Sequence, residues 1–202
     1  MLTQVDMRYS ADITAGSLKL PESRVVADLL LRSVGGADFH RAIVEQNVLQ
    51  TRSPASAVRI GRLVQSRLAL MGAGLWRLVR DGTGTVATHA VFAAAVKHSA
   101  LLGDFLDLVV HEQYRGFATT LSKKLWDEYM QDCRGRDSEM PLWSESTRQK
   151  CGTVVYHILE QVGFIENTRS LKLQNVHMAD PVIRYLKEND EQHVLRCVEV
   201  GP

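Results

Sequence analysis

The sequence predicts a mainly α protein: a helical bundle with a helix-turn-helix-like N-terminal part and a small winged-helix-like C-terminal part containing a β-hairpin. Apolar residues recur at i, i+3 and i+4 through most of the chain, as amphipathic helices require. Ser53 and Pro54 set a sharp helix start after a short preceding helix, and the apolar spacing drops to every second residue in FIENTRSLKLQNVHM. The polar stretch RGRDSEMPLWS, residues 134–144, holds Pro141 and is the expected linker. It divides a helical domain (1–140) from a C-terminal region (141–202).

The first 20 residues, with Gly16, Ser17 and then Pro21, read as an arm that packs without regular structure. PESRVVADLLLRS forms a buried helix ended by Gly35 and Gly36, and ADFHRAIVEQNVL a short second helix on Phe39, Ala42 and Ile43. The next helix is capped by Ser53 with Pro54 in its first turn. Its stripe is Ala57, Ile60, Gly61, Val64, Leu68 and Met71. Arg52, Ser56, Arg59, Arg62 and Ser66 lie roughly opposite, Arg67 sits at the margin, and Leu63 and Leu70 share part of the polar side.

GLWRLVRDG is a short helix closed by Gly82, and the small residues of TVATHAVFAAAVKHS suit a tightly packed interior helix. Asp104 to about Cys133 reads as one long helix with Leu106, Val110, Tyr114, Phe117, Leu121 and Leu125 along one side. Gly116 is its weak point, and Asp104 and Asp107 act as caps at its positive end. SESTRQKCGTVVYHILEQVGFI is a helix capped by Ser144 or Ser146 and stopped by Gly163. A hairpin around Asn167 to Ser170, a last helix DPVIRYLKEN and a possible strand HVLRCVEV follow.

With 202 residues, 45% of them hydrophobic and 23% charged, the chain has material for a sizeable soluble core. Its longest apolar run, AVFAAAV, is far short of the roughly 20 residues of a membrane span, and Asp6, Arg8 and Asp12 interrupt any secretory leader. Cys133, Cys151 and Cys197 form no CxxC pair and read as reduced thiols of a cytoplasmic protein.

Charge is the least even property. His40 to Arg80 carries seven arginines, no lysine and one acid, Glu45, in a chain of net charge +1. Such self-repulsion is offset when a polyanion is bound, so phosphate is the natural ligand. Ser53, Ser56, Arg59 and Arg62 occupy the leading turns of a helix placed as the second of a helix-turn-helix, and arginine suits both phosphate and guanine edges. The same pattern also fits a plain helical hairpin with a solvated basic face. Arg148, Lys150, Arg169 and Lys172 form a second basic set on the expected recognition helix and wing, diluted by Glu145, Glu160 and Glu166. Contact with DNA and contact with protein suit that set equally.

Catalytic motifs are absent. HEQYR lacks the second histidine of HExxH, GTGT lacks the spacing and lysine of a P-loop, and neither a dinucleotide fingerprint nor a nucleophile elbow occurs. A protein with no enzyme activity, no cofactor and no metal site is expected. Trp76 and Trp126 fall in core patterns, while Trp143 could pack or stack a base.

The stretches LPESRVVADLLL, IVEQNVLQTRSPASAVR, GLWRLV, KHSALLGDFLDLVVHEQYR and LEQVGFIENTRSLKLQ resemble the BrxA family of bacteriophage exclusion (BREX) defence systems, from about Arg8 to Gln174. The resemblance implies a helical protein related in shape to the antitermination factor NusB. It would bind double-stranded DNA and act beside the methyltransferase, ATPase and phosphatase-like components. RNA as ligand and a scaffolding role are the alternatives. The expectation is phosphate contact by Arg52, Arg59, Arg62 and Arg67, for which four contacts give a log-log salt slope of about −3.6.

Overall fold

Residues 8–199 are described by a computed structural model. The start of the arm (1–7) and the end of the C-terminal segment (200–202) lie outside the described residues. In chain order the helices are α1 (Leu20–Leu31), α2 (Gly36–Val44), α3 (Pro54–Ala69), α4 (Ala73–Asp81), α5 (Gly84–His98) and α6 (Ala100–Phe105). A π-helical turn at Leu106–Val110 leads into α7 (His111–Arg115), then α8 (Lys123–Arg136), α9 (Glu145–Val162), α10 (Asp180–Glu188) and α11 (Gln192–Val198). The chain forms two compact units. One holds residues 8–17, Ser99–His177 and 196–199, and the other Leu18–His98 and Met178–Leu195. The segment 134–144 lies inside the first of these.

The second unit is built around α5. Its alanines Ala87, Ala90, Ala93, Ala94 and Ala95 are buried with Val91, Phe92 and Val96, and small side chains let neighbouring helices approach closely. Helices α1, α3, α4 and α10 pack on it. His89 is buried in the same helix, and its Nδ1 accepts from Ala179 N–H at 2.9 Å, fixing the entry to α10. Towards the far end of α10, the Tyr185 hydroxyl accepts from Gly72 N–H at 2.7 Å, ahead of α4.

The first unit has an aromatic core. Phe105 meets Trp126, Tyr129 and Tyr156 at ring-centroid distances of 5.2, 5.2 and 6.1 Å, all edge-on. Gly152 on α9 admits the indole: a Cβ there would lie 2.7 Å from Trp126 Cδ1. Trp126 Nε1–H then donates to Arg148 O at 3.0 Å, Tyr129 to Leu101 O and Tyr156 to Ser122 O, both at 2.8 Å. Trp126 is thus a core residue, as its pattern predicts.

The arm is not featureless. Asp12–Ala15 make a 3₁₀ turn packed on α9, and Tyr9 is fully buried. The Tyr9 hydroxyl donates to Asp104 Oδ2 at 2.6 Å, Arg8 grips the same carboxylate, and Asp137 accepts from the backbone N–H of Arg8. Burial, then the bond to Asp104, push the Tyr9 phenol up from 10.0 to about 12; burial does the same to Tyr114. An unfolded phenol ionises near 10 while the folded ones resist to about 12. This stabilisation is therefore complete below pH 10 and is lost as pH rises to 12. The melting temperature should stay level up to about pH 10 and fall steadily above it. A flat profile through pH 12 would contradict this origin.

Several expectations are corrected. The long helix from Asp104 is broken after Arg115: Gly116 and Phe117 end α7, and an irregular stretch precedes α8. Asp104 and Asp107 do not cap it. Asp104 is buried under Arg8 and Tyr9, and Asp107 accepts from Arg196 at 3.0 Å. The winged-helix hairpin is replaced by a turn. Among the described residues there is no sheet, only isolated antiparallel bridges at Ile165 with Leu173 and Thr120 with Lys172. Asn167 Oδ1 accepts from Arg169 and Ser170 N–H at 2.9 and 2.8 Å, and Leu171 turns left-handed (φ 52°), which cuts the ladder short. The possible strand HVLRCVEV is helical over Gln192–Val198, with Val194, Cys197 and Val198 buried at helical spacing.

Candidate nucleic-acid interface

Helix α3 begins where Ser53 and Pro54 dictate. Ser53 is extended (φ −149°, ψ 150°), and its hydroxyl accepts from Ser56 N–H at 3.3 Å while contacting Ser56 Oγ at 3.1 Å. Both serine hydroxyls of the expected site therefore serve the cap first. The helix before it ends at Val44, five residues short of the expected end at Leu49. The resulting connection is braced by Asn47, whose side chain donates to Thr51 O at 3.0 Å and accepts from Thr51 N–H at 2.9 Å. Close packing of α2 on α3 rests on Gly61, where a Cβ would stand 3.1 Å from Ile43 Cγ2.

The buried side of α3 comprises Ala57, Ile60, Gly61, Leu63, Val64, Arg67 and Leu68. Leu63, placed on the polar side by periodicity, is in the core. So is Arg67, which is only 2% exposed and out of reach of a phosphate, a correction to the expected site. What remains outward is a narrow ridge of Arg59, Arg62 and Ser66, preceded by exposed Arg52. Among the described residues no carboxylate pairs with Arg52 or Arg62. The other arginines of the basic window differ. Arg41 is paired with Asp38 at 2.7 Å, and Arg80 with Asp81 at 2.7 Å and Asp28 at 3.4 Å. Arg77 on α4 is exposed and was not among the expected contacts.

The first unit carries the second basic set. Ser144 caps α9 by accepting from Thr147 N–H at 3.2 Å, and Arg148 is committed to Glu145 one turn away. Lys150, Arg169 and Lys172 are exposed. A groove of about 560 Å³ runs beside α9, with Trp126 and Tyr156 in its floor, Lys123 and Arg169 on its walls, and Asp127 and Glu145 among them. Charge along it is balanced. Of the expected contacts only Arg169 lines it.

The densest histidine and carboxylate neighbourhood is taken up by internal contacts: His111 Nδ1 faces Asp107 Oδ1 at 3.5 Å, and Arg196 pairs with Asp107. Burial lowers the His111 pKa, which favours the neutral ring. Among the described residues no three of His, Cys, Asp and Glu gather as metal ligands. Cys133, Cys151 and Cys197 are buried and form no disulfide, and burial pushes the thiols of Cys151 and Cys197 up to about 11 and 12, far from a nucleophilic thiolate at neutral pH. No helix among the described residues is long and apolar enough to cross a membrane.

Residues 7–190 match the family model described as BrxA. A protein of Paramagnetospirillum magneticum named BREX protein BrxA is 52% identical over 96% of this chain and 98% of its own length. One of the same name from Escherichia coli O9:H4 is 27% identical over 96% of this chain and 91% of its own. A crystal structure of a Magnetospirillum magneticum protein superposes with a TM-score of 0.91 at 50% identity, covering 96% of this chain and all of that one.

Proposed function

Because the chain belongs to the BrxA family of BREX components, we propose that it serves phage defence as a non-enzymatic protein holding double-stranded DNA through its phosphates. One observation supports this most: the ridge Arg52, Arg59 and Arg62 stands exposed in a stretch, residues 46–80, with six arginines and no carboxylate. Concentrated positive charge repels itself, and a polyanion relieves that cost. The connection from Glu45 to Ser53 is longer than the three or four residues of a helix-turn-helix. We therefore assign the contact to phosphates along α3, with weak sequence preference, rather than to base reading by an inserted helix. Lys150, Arg169 and Lys172 of the first unit are secondary phosphate contacts in this reading. Other BREX components remain its protein partners.

Charge reversal tests the ridge. Arg59→Glu/Arg62→Glu should abolish retention on a duplex-DNA resin at about 0.1 M salt while leaving the melting temperature within about 2 °C, since neither side chain is buried. Retained DNA binding combined with loss of co-purifying BREX components would overturn the DNA reading in favour of a scaffold.

A further inference from the structure

Phe117 is 84% exposed, and it stands where the backbone asks for glycine. The end of α7 is a Schellman motif: Phe117 N–H donates to Tyr114 O at 3.0 Å and Ala118 N–H to Gln113 O at 2.9 Å. In that motif the residue after the cap turns left-handed, and here it is Phe117, at φ 55°. An aromatic side chain in this conformation is disfavoured, and this one buries almost nothing in return. Neither the local backbone nor the core accounts for it.

The surroundings show what the ring could meet. The loop that follows is fixed to residues 171–173 by Leu121 N–H to Leu171 O at 2.8 Å and Leu173 N–H to Thr119 O at 2.9 Å. That pairing sets Lys172 opposite Thr120. Lys123, Arg169 and Lys172 are exposed and make no ion pair among the described residues, whereas Arg115 and Lys124 are satisfied by Glu112 and Glu128. The loop thus carries one bare aromatic ring, and Lys172, a cation with no ion pair among the described residues, lies in the segment paired with it. Aromatic faces stack on bases and cations hold the flanking phosphates, a combination that recurs in strand-binding grooves and groove-inserted wedges.

We propose that Phe117 is a nucleobase-stacking residue of the first unit, with Lys123 and Lys172 holding the adjacent phosphates. This rests on the reading that the ligand is a nucleic acid, but not on the α3 ridge being its contact. The ring adds short-range contact at one base, where the cations add only charge.

The test titrates the full chain into duplexes carrying 2-aminopurine at successive positions. Wild type should change the fluorescence at one or more positions. Phe117→Gly should abolish that change, weaken binding by about 5- to 30-fold, and leave the salt slope unaltered. The same variant should melt about 1–3 °C higher, because glycine suits the left-handed position. Phe117→Trp should restore the fluorescence response. Binding within twofold of wild type with the fluorescence change intact would overturn the assignment. So would a Phe117→Gly protein that binds DNA normally but loses a BREX component, which would make the ring a protein anchor. DNA binding that ignores the α3 arginines yet depends on Phe117 would remove the ridge and keep this site; no binding by wild type would remove both.

Discussion

Phe105→Ala is expected to lower stability by about 3–5 kcal/mol, the usual cost of emptying a well-packed aromatic position. Its ring centroid lies 5.2 to 6.1 Å from three others, and all three make edge contacts with it. The surrounding aromatics cannot collapse into the space, since Trp126, Tyr129 and Tyr156 are each tied to a backbone carbonyl by the polar end. For a chain of this size such a loss lowers the melting temperature by about 6–20 °C. Phe105→Leu, which retains much of the volume, should cost less than about 1.5 kcal/mol. Urea unfolding of both variants checks the pair, and a loss below about 1 kcal/mol for the alanine variant would show that the cluster does not hold the unit together.

Replacing Arg52, Arg59 and Arg62 with glutamine should weaken duplex-DNA binding by about 100-fold at 0.15 M salt. Counterion release contributes about 0.9 decade of affinity per contact for each decade of salt below 1 M, so three contacts are worth about two decades there. Stability should hardly change, because the three side chains lie outside the core and the N-cap is made by Ser53 and Ser56. Arg67→Gln provides the contrast. A buried guanidinium contributes to packing, so this variant should lose stability while the protein that remains folded binds DNA normally.

Local chemistry made much of this structure readable from the sequence. The start of α3 follows from Ser53 and Pro54, the stop of α9 from Gly163 with its left-handed backbone (φ 98°), and the buried α5 from its alanines. What periodicity could not reveal was which flanks of a helix another element would cover. Helix α3 is enclosed on more than one side, so Leu63 and Arg67 disappear into the core even though a single stripe would leave them outside. Asp104 read as a cap because its partners, Arg8 and Tyr9, lie about a hundred residues away in sequence. The hairpin failed for a local reason that spacing hides: Leu171 and Leu173 alternate as strand residues should, but the Asn167 side chain closes a turn and only single bridges survive. By spacing Phe117 falls on the apolar side of a long helix, and the break at Gly116 is what exposes it.

The central claim, phosphate contact by the α3 ridge, is tested most directly by the salt dependence of duplex-DNA binding in wild type and in the Arg52→Gln/Arg59→Gln/Arg62→Gln variant. The burial of Arg67 reduces the expected ridge contribution from four contacts to three. The two log-log slopes should therefore differ by about 2.7, wild type being the steeper. Parallel lines, with the variant binding as wild type does across the salt range, would contradict the account.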